Sequence, residues 1–161
     1  MIHRPSLAAP AFPDDDGTVD PTLAAAFGDD TQVLAVLGDV RVFVPVVAME
    51  EETRAESDHP PQAGGAPKAD HVAAVLMTGA DGRQALLAFS SVATMATWNG
   101  DARPVPVWGR DAARAVLTED ATALLLDLAS PTFTVVETAD VKHLAAGHRL
   151  VSTEAGPAWL A

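Results

Sequence analysis

The chain predicts a single α+β domain with a mixed or antiparallel sheet, a central β-hairpin and short flanking helices. Three observations carry that reading. Two strand-like runs, Val72 to Thr78 and Arg83 to Phe89, flank Gly79-Ala80-Asp81-Gly82, a composition suited to a hairpin loop, so they should pair antiparallel. Short apolar stripes at helical spacing alternate with other β-branched runs along the rest of the chain. No repeat with a period of about 20 to 50 residues is present, which excludes solenoids and propellers.

Residues 1–17, with Pro5, Pro10, Pro13 and Asp14-Asp15-Asp16, read as a flexible acidic tail that orders only at its end. The folded domain is expected over 18–146. Thr18 and Asp20 can cap a first helix with Pro21 in its first turn and Leu23, Ala26 and Phe27 on one face. After a break at Gly28-Asp29-Asp30-Thr31, Val33, Val36 and Leu37 mark a second short helix stopped by Gly38. Val40 to Val47 reads as a strand buried on both faces, and Pro45 must then face an edge, a bulge or a strand end because it has no donor for a ladder. Residues 50–70 combine Glu50, Glu51, Glu52, Glu56 and Asp58 with Pro60, Pro61, Gly64, Gly65 and Pro67, the composition of a mobile acidic loop.

Beyond the hairpin, Ser90 or Ser91 caps a helix whose apolar face is Val92, Met95 and Ala96 and which Asn99-Gly100 stops. Pro104-Val105-Pro106-Val107 must be extended, since a residue before proline avoids the helical region. The two prolines place that strand near a sheet edge. Asp111 to Leu117 is helical with Ala113, Val116 and Leu117 inward. Ala123 to Leu128 and Phe133 to Val136 are strands joined across Ser130-Pro131, and Val141, Leu144 and Ala145 mark a last helix. Residues 147–161 form a C-terminal tail or a final edge element.

Composition narrows the function classes. The chain of 161 residues is 48% hydrophobic, enough for one folded core. Ten Lys and Arg against 22 Asp and Glu give a net charge of -12, so nucleic acid and anionic membrane surfaces are repelled. No segment has the ~18 consecutive apolar residues of a membrane helix, and the first residues lack the apolar core of a signal peptide. The absence of Cys excludes disulfides and thiolate chemistry, and the cytoplasm is the expected location.

No catalytic, cofactor-binding or metal-ligating set is expected. Asp70 and His71 are adjacent on a strand and point to opposite faces, so they do not form an acid-base pair. His143 and His148, five apart at the last helix, fall about 140° apart on a helical wheel, which argues against a two-histidine metal site. His59 lies in the acidic loop. Ser90-Ser91 occupies the strand-to-helix position of a nucleophile elbow without its flanking glycines, which favours capping over catalysis. The same helix start is the best candidate for a small anion. Arg103, Arg110 and Arg114 read as balancing charges on a solvated face. Trp98 and Trp108 flank the Pro104–Pro106 segment, so Trp98, Arg103, Pro104, Pro106 and Trp108 make the candidate partner surface, with at least one indole exposed.

The order helix, helix, Arg41 to Ala48 (RVFVPVVA), acidic loop, Lys68-Ala69-Asp70, hairpin, Leu87 to Ser91 (LAFSS), Ala102 to Val107 (ARPVPV), Ala123 to Asp127 (ALLLD) and Phe133-Thr134-Val135 resembles the SseB N-terminal domain family, over roughly Leu23 to Ala145. That family name derives from a phenotype, enhanced serine sensitivity. Where the family continues Leu-Asp with Pro-x-Gly-Pro, this chain has Leu128 and Ser130. The resemblance implies an α+β domain without established catalytic residues. The expected function is therefore a non-enzymatic interaction or regulatory module that holds a protein partner, with no cofactor. A small-anion or metabolite sensor at Ser90-Ser91 is the alternative, and a hydrolase or transferase using Ser90, Ser91, Asp127 or His71 is less favoured. Composition and spacing leave the oligomeric state open.

Overall fold

The computed structural model describes residues 12–48 and 72–161. Asp20 caps α1 (Pro21–Ala26) through its carboxylate, and Asp29 caps α2 (Asp30–Leu37) the same way, so each short helix starts on a side-chain acceptor. Leu23, Val33 and Leu37 are fully buried. The strand β1 (Arg41–Ala48) follows, then β2 (Val72–Ala74), β3 (Leu76–Thr78), β4 (Gln84–Ala88), α3 (Val92–Trp98), β5 (Arg103–Trp108), α4 (Gly109–Thr118), β6 (Ala123–Leu126), β7 (Thr134–Glu137), α5 (Thr138–Ala145), β8 (Arg149–Thr153) and β9 (Gly156–Leu160). The acidic loop, Asp70-His71 and His59 lie outside the described residues.

The strands form sheets of order β2-β1-β5 and β3-β4-β6-β7, with β8-β9 as a separate hairpin. Among the described strands only β4 and β6 run parallel; the arrangement is mixed, one of the two forms the sequence predicts. The 72–78 run does not pair along its whole length with 83–89. Its first half joins β1 and its second half joins β4, and the change falls at Val75, whose carbonyl accepts from Leu87. An isolated bridge between Phe43 and Phe89 ties the two sheets together again.

That split explains Pro45. Gly109 donates to the Val40 carbonyl across the β1–β5 ladder, and with alternating pairs Val42/Val107 and Val44/Val105 are hydrogen-bonded, whereas Pro45/Pro104 and Phe43/Pro106 are not. Pro45 therefore turns its donorless nitrogen away from β5, toward the place where the facing strand leaves for β4. Pro104 and Pro106 turn theirs outward from β5, which is an edge strand. The sequence correctly places these prolines, and the structure adds that they strip the edge of donors there.

The main core lies between the inner sheet face, with Val42, Leu86, Leu124 and Val136, and the helices α1, α2, α4 and α5. A second cluster, Phe43, Leu87, Phe89 and Met95, fills the opposite face under α3. Gly109 opens α4 so close to α2 that a Cβ would lie 1.7 Å from the Leu37 carbonyl oxygen. Two expectations need correction. Val92 and Ala96 are exposed, and Met95 with Trp98 makes the α3 face that meets Phe43, Leu87 and Phe89. Leu117 is exposed because the α4 stripe is Ala112, Ala113 and Val116. The end of the acidic tail is ordered: Phe12 meets Trp108 edge-on at 4.7 Å, and Asp15 pairs with Arg41 at 2.7 Å.

Replacing Pro104 and Pro106 together by Val should leave the monomer folded while restoring two outward donors. Light scattering at increasing concentration is expected to show self-association absent from the parent, and an unchanged monomer would contradict the edge-blocking role.

Candidate functional site

Because β4 and β6 are parallel, their C-terminal ends come side by side, and the residues that leave them, Ser90 and Asp127, meet. Asp127 extends the ladder by donating its amide to the Ala88 carbonyl at 2.9 Å, then takes a left-handed conformation with φ 57° that Asp tolerates better than most residues. One carboxylate oxygen accepts from the Ser90 amide at 2.7 Å and the Thr94 hydroxyl at 2.9 Å. The other accepts from the Ser90 hydroxyl and the Thr132 hydroxyl, both at 2.6 Å. Asp127 and Ser90 are both buried.

The network continues through Ser90. Its carbonyl accepts from Arg41 at 2.8 Å, and Arg41 also binds the Asp15 carboxylate and the Thr18 carbonyl while stacking over Phe43. Alongside, the Thr18 hydroxyl and amide donate to Asp16 and hold its carboxyl below the usual carboxylate range. An open hollow of about 390 Å³ lies over this ion pair, lined by acidic Asp14, Asp15 and Asp16 with Arg41. No described buried side-chain nitrogen or oxygen lacks a partner.

Ser91 is the N-cap of α3 and forms a capping box with Thr94. The next amide, that of Val92, donates to the Gly17 carbonyl at 2.9 Å. The place assigned from sequence to an outside anion is thus filled from within, by Asp127 and Gly17. A helix start attracts negative charge whatever its source, and here the chain supplies its own. The Ser90–Asp127 pair was legible as two separate residues but not as a contact, since only the parallel register brings them together.

The proposed partner residues differ in exposure. Trp98 is half-buried, stacked on Phe89 at 5.4 Å, whereas Trp108 is 37% exposed at the other end of β5 between Phe12 and Arg110. Arg103 is exposed, Pro104 and Pro106 half-buried. Arg110 and Arg114 pair on the surface with Asp39 and Asp111.

A different apolar surface stands out on the outer face of β3-β4-β6-β7. Register places Met77, Ala85, Ala123 and Glu137 in one row and Leu87, Leu125 and Val135 in the next. The α3 layer covers Leu87, but Met77, Phe133 and Val135 are 37%, 45% and 42% exposed. Met77 and Val135 line a trough of about 200 Å³ together with Asp81, Arg83 and Glu137. Arg83 and Glu137 bond at 2.8 Å, which pushes the guanidinium pKa upward.

His143 and His148 come together, contrary to the helical-wheel expectation, because α5 ends at Ala145 and Gly147, with φ 80°, turns the chain back. The His148 amide donates to the His143 carbonyl, and the two Nδ1 atoms lie 2.9 Å apart.

Among comparisons with known proteins, the family model for the SseB protein N-terminal domain matches residues 22–143. This chain belongs to the SseB N-terminal domain family. The match spans α1 to the middle of α5, including the Ser90–Asp127 network, and leaves the β8–β9 hairpin outside it. No curated protein and no solved structure matches the chain. Among the described residues no helix of this SseB-family domain is long and apolar enough to cross a membrane.

Removing the Asp127 carboxylate leaves the Ser90 amide and hydroxyl without an acceptor, while Thr94 and Thr132 keep the Ser91 carbonyl and the Ser130 hydroxyl, so Asp127→Ala is expected to cost about 3 kcal/mol in urea denaturation. Ala129, by contrast, holds a φ of 68° in the same turn, a conformation that costs a Cβ-bearing residue about 1 kcal/mol. Ala129→Gly should therefore raise the denaturation midpoint, and a fall would show that the turn is not strained there.

Proposed function

We propose that this SseB-family domain is a non-enzymatic interaction module of the cytoplasm that docks a protein partner on the bare half of the β3-β4-β6-β7 sheet. The observation that carries the reading is the exposed Met77 and Val135 on a trough that Ala85 and Ala123 also line. Half of that sheet face already holds α3, and the small alanines leave room for a second element next to it. The partner segment is amphipathic and basic: apolar toward the trough, cationic toward Asp81, Glu137 and a chain of net charge -12. Trp108 at the blocked β5 edge is a poorer anchor, since a strand cannot be added where Pro104 and Pro106 offer no donor.

The hydrolytic reading has less support, because both oxygens of Asp127 are taken and Ser90 is sealed from solvent. The sensing reading has less support for the same reason. Photo-crosslinking residues placed at positions 135 and 77, with exposed Glu119 as control, test the docking surface in living cells. Crosslinks are expected at 135 and 77, to a basic amphipathic segment identified by mass spectrometry. Equal crosslinking at position 119, or crosslinks confined to a probe at position 108, would refute the surface.

A further inference from the structure

From the His143–His148 contact we infer a proton-operated catch that holds the C-terminal hairpin β8–β9 on α5 and releases it in acid. The two Nδ1 atoms lie 2.9 Å apart, the distance of a direct N–H···N hydrogen bond. One ring donates from Nδ1 and the other accepts there, so the bond needs a single proton between the two nitrogens. A neutral pair satisfies this. So does a pair that has taken up one proton, because the addition goes to Nε2 of the donor ring and the bond becomes charge-assisted. After a second uptake both Nδ1 atoms carry hydrogen, two donors face each other within bonding distance, and the contact must open. Both rings are half-exposed, so solvent protons reach them.

Opening matters to the hairpin because of where the rings sit. His148 directly precedes β8 and follows the left-handed turn at Gly147. His143 stacks on Trp159 of β9 with ring centroids 4.9 Å apart and planes 8° from parallel, and the indole donates to Asp140, one turn earlier on α5. The pair therefore joins α5 to the start of one hairpin strand and the end of the other. A first positive charge is well placed there, since a cationic His143 lies flat on the Trp159 face and in the last turn of α5. A second has little to offset it. Asp140 already accepts from the indole, and Lys142 and Arg149, beside the two rings in sequence, add like charge. On α4, Arg114 donates to the Ala145 carbonyl and pairs with Asp111, while Arg110 pairs with Asp39. Glu137, where β7 meets α5, holds Arg83. The charged residues of α2 and of the hairpin turn are Asp30 and Glu154, and β9 has none.

The test follows amide hydrogen exchange of the full chain at about pH 8 and about pH 5, the limits between which imidazole groups in general change charge. Each rate is taken relative to the free-chain rate at the same pH, so that only structural protection is compared. The amides of β8 and β9 are expected to lose protection about tenfold at the lower pH, the least that one hydrogen bond to a charged group is worth, while those of β4 and β6 keep theirs. His148→Gln, which takes up no proton, and His143→Phe, which keeps a ring on Trp159, should each show the same hairpin protection at both pH values. Nitrogen-15 spectra of the two rings in the parent chain should place a proton on one Nδ1 at about pH 8. Hairpin protection in the parent that is the same at both pH values would overturn the catch, as would a pH-dependent loss that either variant shares. A neutral pair with both protons on Nε2 would overturn it too.

Discussion

The buried carboxylate of Asp127 is the constraint on which the rest of the domain depends. A carboxylate with no exposure would be expensive on its own, and four donors offset that cost by supplying charge-assisted hydrogen bonds. Those donors come from the end of β4, the first turn of α3 and the approach to β7, so one side chain fixes three elements relative to β6. Through the Ser90 carbonyl and Arg41 the constraint passes to Asp15 and the segment before α1. Removing one member leaves buried partners unsatisfied, which makes the network cooperative rather than a sum of contacts.

The sheet is organised around places where pairing stops. Val75 marks the point where one strand run leaves β1 for β4, and Pro45 sits opposite it with no donor to waste. Pro104 and Pro106 occupy the outward positions of an edge. The other outer strand, β7, has no proline, and its exposed Val135 and nearby Phe133 border the uncovered half of the sheet. Protection at one edge and exposure by the other make the two sides of the sheet unlike, and this asymmetry underlies the docking surface proposed above.

The C-terminal hairpin β8–β9 stands outside the family match yet is tied to the core by Trp159, which packs against it, and by the His143–His148 contact. The histidine hydrogen bond is part of that tie: its geometry depends on a glycine turn and on an indole, both contributed beyond residue 143.

The sequence by itself determined the fold class, most helices and strands, the hairpin turn at Gly79–Gly82, a serine cap at Ser90 or Ser91 and the edge position of the Pro104–Pro106 strand. Each of these rests on local chemistry: a missing donor, a capping hydroxyl, an apolar period. Family membership was legible too, in the combination of RVFVPVVA, LAFSS, ARPVPV and ALLLD. Only the tertiary structure decided that Ser90 and Asp127 meet, because parallel register is set by long-range pairing and not by either segment. It also decided what orders the end of the acidic tail, since Asp15 finds a partner 26 residues away in Arg41. The histidines escaped for the same reason: a helical wheel holds only while the helix continues, and whether two side chains touch beyond its end depends on where the chain turns.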